Sequence, residues 1–125
     1  MPYIYETCTA HDAIERARKL GRLSTADNAG NFTPGAIRAL FDYHEQLADD
    51  IGQPLELDII AWCCDWAEYE SCWEAYRDEY ADPSDIADGL EKDEDEREAE
   101  ARQFFEDNST VLDVEDTGRI LLQSF

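Results

Sequence analysis

The chain predicts an α+β fold: three mostly antiparallel strands carrying about four helices on one face. Three observations predict it. Residues 33–52 have helical apolar spacing between an N-terminal Thr-Pro and a closing Gly, and residues 55–64 begin with strict alternation. Residues 110–125 read as two short apolar runs about the turn Asp116-Thr-Gly118, a β-hairpin. At 125 residues the expectation is one domain, 1–125, large enough for a core without obligatory disulfides or metal.

The elements follow in order. Thr9 and Asp12 form an approximate capping box for a helix over about residues 10–21, with Ile14, Ala17 and Leu20 on one face. Its bases Arg16, Arg18 and Lys19, with Arg22 beyond, are set to pair with the chain's own acids or with those of a second copy, so a homodimer is one expectation. Residues 23–32 are loop-like in composition. Thr33 then caps a helix with Pro34 at its first position, and Ile37, Leu40, Phe41, His44, Leu47, Ala48 and Ile51 recur on one side before Gly52. Leu55 to Cys64 reads as a strand entering a sheet, and Asp65 to Glu70 as a turn carrying Trp66 and Tyr69. Ser71 and Glu74 open a helix to about residue 80, Asp82-Pro83-Ser84 breaks it, and a short helix or turn spans Asp85 to Leu90. An acidic helix is predicted over 91–107, with Leu90, Ala101, Phe104 and Phe105 on its anchored face and its first two turns projecting into water.

Charge is distributed unevenly along this frame. The first 30 residues are balanced, and residues 31–125 carry the whole formal charge of −21. Such an excess favours solubility and basic partners, while it opposes direct binding of nucleic acid or of anionic membrane surfaces. The opening Met-Pro-Tyr-Ile-Tyr-Glu lacks the pattern of a secretory signal, and no apolar run approaches the roughly 20 residues of a membrane span. A cytoplasmic location is the expectation.

Catalytic patterns are missing from the sequence. It contains no G-x-S-x-G, no Gly-rich phosphate loop and no H-E-x-x-H, so no catalytic residue, cofactor or metal is assigned and no enzyme is expected. Cys8, Cys63, Cys64 and Cys72 read as free thiols, because their spacing, even with His11, fits no paired C-x-x-C framework. His44 reads as a satisfied core histidine. Asp93-Glu-Asp-Glu lacks the alternating ligands and central Gly of a calcium loop.

The acidic segment carries the functional expectation. Glu91 to Glu100 holds seven acids and two bases, a net of −5 over about 15 Å of helix axis. Duplex DNA presents about nine phosphates in that length. Like-charge pairs at i,i+4 such as Glu94/Glu98 and Glu96/Glu100 do not favour the helix itself. The candidate partner-binding residues are Asp85, Asp88, Glu91, Asp93, Glu94, Asp95, Glu96, Glu98 and Glu100, with Asp65, Glu68 and Glu70 as a second patch and Trp66 as an aromatic anchor among them.

The stretch Ala36-Ile-Arg-Ala-Leu-Phe-Asp-Tyr, followed by Leu55-Glu-Leu-Asp-Ile-Ile-Ala-Trp-Cys-Cys-Asp-Trp-Ala-Glu-Tyr, resembles a group of small acidic proteins of tailed phages and prophages. The resemblance covers residues 33–80 and 108–125 and implies a phage gene product acting in the host cytoplasm. In class the chain is also similar to anti-CRISPR and anti-restriction inhibitors that imitate DNA. That likeness implies a basic, nucleic-acid-binding partner such as a CRISPR effector or a restriction enzyme. Two other readings fit the composition. Only two of its ten bases are lysines, as in salt-adapted proteins, and the aromatic-rich middle would suit a regulatory adaptor that binds a protein.

Overall fold

The computed structural model describes residues 9–24, 30–53, 55, 57–115 and 117–125. Cys8, the centre of the loop at 25–29, Pro54, Glu56 and the hairpin-turn residue Asp116 lie outside the described residues. The fold is α+β, with six helices among the described residues and a three-stranded antiparallel sheet. The contacts gather into two compact units, divided between Ala67 and Glu68.

The first unit is built on helix α1 (Ala10–Lys19) and helix α2 (Pro34–Ile51). The Thr9 hydroxyl accepts from the Asp12 N–H while the Asp12 carboxylate accepts from the Thr9 N–H, the complete capping box that the sequence only approximates. On α2 the Thr33 hydroxyl accepts from the Ala36 N–H, and Gly52 ends the helix with a left-handed φ of 71°. Ala13, Ile14 and Ala17 are buried on α1, and Ala36, Ile37, Leu40, Phe41 and Ala48 on α2, which packs against it.

The segment predicted as a strand differs. Residues Ile59–Asp65 form helix α3, because the Asp58 carboxylate accepts from the Ala61 N–H at 3.0 Å and caps it. Ile59 and Trp62, three apart, are buried, whereas Ile60 is 41% exposed, which is helical rather than alternating order. A short apolar run reads equally as a buried strand or a helix, and here the cap decides. The strand lies in the predicted turn instead: β1 is Trp66–Tyr69.

The second unit holds helix α4 (Cys72–Glu79), helix α5 (Pro83–Leu90), helix α6 (Glu94–Asn108), strand β2 (Val111–Asp113) and strand β3 (Ile120–Gln123). Strand order is β1-β3-β2, and β2 pairs antiparallel with β3 in the register Val111↔Leu122, Leu112↔Leu121 and Asp113↔Ile120. Three consecutive β3 residues, Ile120, Leu121 and Leu122, are buried, as a central strand covered on both faces requires. Gly118, with φ of 73°, supplies the left-handed residue of the hairpin connection. Cys72 and Ala75 of α4, Ala101 and Phe105 of α6, and Ile120 and Leu122 form the core, with Trp73 and Tyr76 half-buried against it.

The acidic helix begins three residues later than predicted. The Asp93 carboxylate accepts from the Glu96 N–H at 2.8 Å and starts α6 at Glu94, so Glu91 to Asp93 are a turn after α5. Leu90, expected on the anchored face, lies outside that helix and is 60% exposed. No described helix is long and apolar enough to cross a membrane.

Candidate acidic interface

Residues 68–125 hold 20 acids and five bases, a net of −15 out of the chain's −21. All five bases are engaged inside this unit. Arg77 pairs with Asp78 at 3.0 Å, Lys92 with Glu100, and Arg102 with both Glu106 and Asp113 at 2.8 Å. Arg119 meets Glu68 at 2.7 Å, and the Arg97 guanidinium lies over the Trp73 ring, 5.8 Å from its centroid. The cations are thus spent locally, and the remaining carboxylates set the field at the surface.

Several acids predicted to meet a partner also have partners within the structure. Glu98 turns inward: its two carboxylate oxygens accept from the Cys72 N–H at 2.9 Å and the Trp73 N–H at 2.8 Å, capping α4 from 26 positions away in sequence. The Glu68 side chain is 3% exposed and held by Arg119. Asp85 completes a capping box with Asp82, Asp93 caps α6, and Glu100 is bound to Lys92. Trp66 is 3% exposed, with Tyr43 edge-on at 5.3 Å, so its ring is core and offers a partner no surface.

The other candidates are exposed. Asp88, Glu91, Glu94, Asp95 and Glu96 stand at the surface with no ion pair among the described residues. They follow the end of α5, the turn and the first turn of α6, so the acidic array is bent rather than a single rod. Glu94, Asp95 and Glu96 lie where the helix dipole favours negative charge, which lowers the cost of crowding them together. Asp65 is exposed at the end of α3. Glu70 is exposed, 3.9 Å from Arg119, and burial, followed by the neighbouring Glu70 carboxyl, raises the Glu74 pKa above the ordinary 4.5.

Sequence reasoning missed an aromatic surface. Tyr80, Phe104 and Phe125 are 44%, 36% and 56% exposed and touch one another, with Tyr80 and Phe125 stacked at 5.3 Å and 9°. Beside them is a cavity of about 210 Å³ whose lining includes Tyr76, Phe104, Asp85 and Asp88. Gly89 forms part of its wall, since a Cβ there would fall 2.2 Å from the Trp73 ring. The sequence placed Phe104 on the anchored face with Phe105, whereas Phe105 is buried and Phe104 is open, a difference that helical spacing does not separate.

The Arg97 Nε is buried without a hydrogen-bond partner among the described residues. His44 donates from Nδ1 to the Leu40 carbonyl at 2.7 Å and stacks on Trp62 at 4.9 Å. Cys63 and Cys72 are free thiols, and burial together with Glu98 pushes the Cys72 thiol up to about 12. No three His, Cys, Asp or Glu residues among those described are grouped to hold a metal ion. Compared with known proteins, the chain matches no family model, no curated sequence and no solved structure, so its own residues carry the functional argument.

Proposed function

We propose that the chain is a phage-encoded inhibitor that binds the nucleic-acid-holding surface of a host defence complex, a CRISPR effector ahead of a restriction enzyme, through surface carboxylates that stand in for phosphates. One observation carries the reading: every base of residues 68–125 is engaged internally, while Asp88, Glu91, Glu94, Asp95 and Glu96 stay exposed without ion pairs. Such a surface attracts Lys and Arg side chains over a Debye length and speeds association at low salt. Nucleic acid itself is repelled by the same field, which leaves a basic protein groove as the partner.

The contact set is narrower than the sequence reading. Asp85, Asp93, Glu98, Glu100 and Glu68 are held by structural duties, so within residues 68–125 the array centres on the exposed five. The combined variant Asp88→Lys, Glu91→Lys, Glu94→Gln, Asp95→Asn is expected to remain folded and to lose inhibition of the effector's DNA binding, measured by DNA displacement at low and high salt. Full inhibition by that variant, or inhibition by the unaltered protein that does not weaken as salt rises, rules the proposal out.

A further inference from the structure

We propose that the exposed rings Tyr80, Phe104 and Phe125, with the cavity beside them, are the docking surface for an arginine-bearing segment of the basic protein partner. The inference rests on the reading that the partner is a basic protein, and it adds where an individual side chain of that partner is received.

Three observations lead to it. Tyr80 and Phe125 stack face to face and Phe104 meets both at its edge, yet all three keep a third or more of their surface open. A cluster of exposed aromatic rings is costly to leave in water and is the usual anchor of a protein contact. Second, negative charge borders the patch: Asp107, three after Phe104 on the same side of α6, is exposed, and Glu100, four before it, is exposed and shared with Lys92. Third, the molecule already makes the contact in question. At the wall of the adjoining cavity the Arg97 guanidinium sits over the Trp73 ring, and the lining, which also includes Lys92, adds the carboxylates of Asp85, Asp88 and Glu100.

The chemistry selects arginine. A planar, weakly hydrated guanidinium stacks on an aromatic face while its N–H groups reach carboxylates at the rim, whereas the ammonium of lysine is more strongly hydrated and loses more on leaving water. The competing occupants fit less well. Bases would stack on the rings, but a nucleic acid strand must approach a unit with a net charge of −15, and a second copy of the chain meets the same repulsion.

Decaarginine and decalysine peptides, titrated into the protein by calorimetry at low salt, test the surface. The unaltered protein is expected to prefer decaarginine by roughly fivefold. The triple variant Tyr80→Leu, Phe104→Leu, Phe125→Leu keeps apolar bulk but has no ring faces, and its preference is expected to fall to about one while decalysine binding is unchanged. Should the triple variant not fold, as read by circular dichroism, Phe125→Leu alone is expected to reduce the preference. Equal affinity for the two peptides, or a preference that survives loss of the rings, overturns this inference and leaves the acidic partner-binding reading standing. Absence of binding to either peptide overturns both. Tighter binding of a single-stranded oligonucleotide, or a ring-dependent dimer in sedimentation, overturns the choice of occupant.

Discussion

Replacing Glu98 with Ala tests the conclusion that acids in this unit divide into structural and surface groups. Helix α4 begins with backbone N–H groups at Cys72, Trp73, Glu74 and Ala75 that need acceptors. The Ser71 hydroxyl accepts from Glu74 at 3.1 Å and the Ser71 carbonyl from Ala75 at 3.2 Å. Glu98 takes the other two, Cys72 and Trp73, at 2.9 and 2.8 Å. Cys72 is buried and Trp73 half-buried, so water replaces the lost carboxylate poorly. Each N–H left without an acceptor costs about 1–3 kcal/mol, and loss of negative charge at the helix N-terminus adds about 0.3–1 kcal/mol. These effects overlap, which puts Glu98→Ala at about 3 kcal/mol and a fall in Tm of roughly 10 °C. Glu98→Gln keeps one carbonyl oxygen and is expected to lose about half as much.

Thermal and urea unfolding followed by circular dichroism measure the effect, with Glu94→Ala as the control because Glu94 is exposed and has no ion pair. That control is expected to cost under about 1 kcal/mol. A Glu98→Ala protein that melts within about 2 °C of the unaltered chain, or together with the control, refutes the assignment of Glu98 to the α4 terminus.

Two further outcomes are expected. Arg119→Met removes the guanidinium 2.7 Å from the Glu68 carboxylate, whose side chain is 3% exposed, and is expected to cost about 3 kcal/mol. Adding Glu68→Gln should restore part of that loss in urea unfolding, and no recovery would show that the pair is not the cause. Burial, more than the opposing Leu40 carbonyl and Asp65, holds the His44 pKa below the ordinary 6.5. As pH falls below 6.5 the unfolded chain takes the proton first, so stability is fully present above 6.5 and declines toward the lower folded value. A ring-proton NMR titration with its midpoint at or above 6.5 would contradict this.

Local chemistry made much of the fold legible. Thr33-Pro34 and Gly52 bound the second helix as read, because caps and left-handed turns depend on residues within a few positions. The hairpin about Gly118 followed from the same kind of information. The strand assigned to residues 55–64 failed because alternation at Leu55, Leu57 and Ile59 outweighed one Asp able to cap a helix from position 58. The acidic helix was found, but its start moved to Glu94 because Asp93 is a better cap than helix interior.

By itself the sequence determined the α+β class, the negative charge and its concentration after the first 30 residues, since these depend on composition and short-range pattern. Tertiary structure alone decided which carboxylates remain available. Glu98 and Glu94 are indistinguishable in a list of acids, yet one faces the start of α4 and the other faces water. Glu68 finds Arg119 across 51 residues, and Trp66 is enclosed while Phe104 is open. The physical reason is the same in each case: a charge or a ring is defined by the groups that surround it, and those groups are brought together by folding from positions that no local spacing connects.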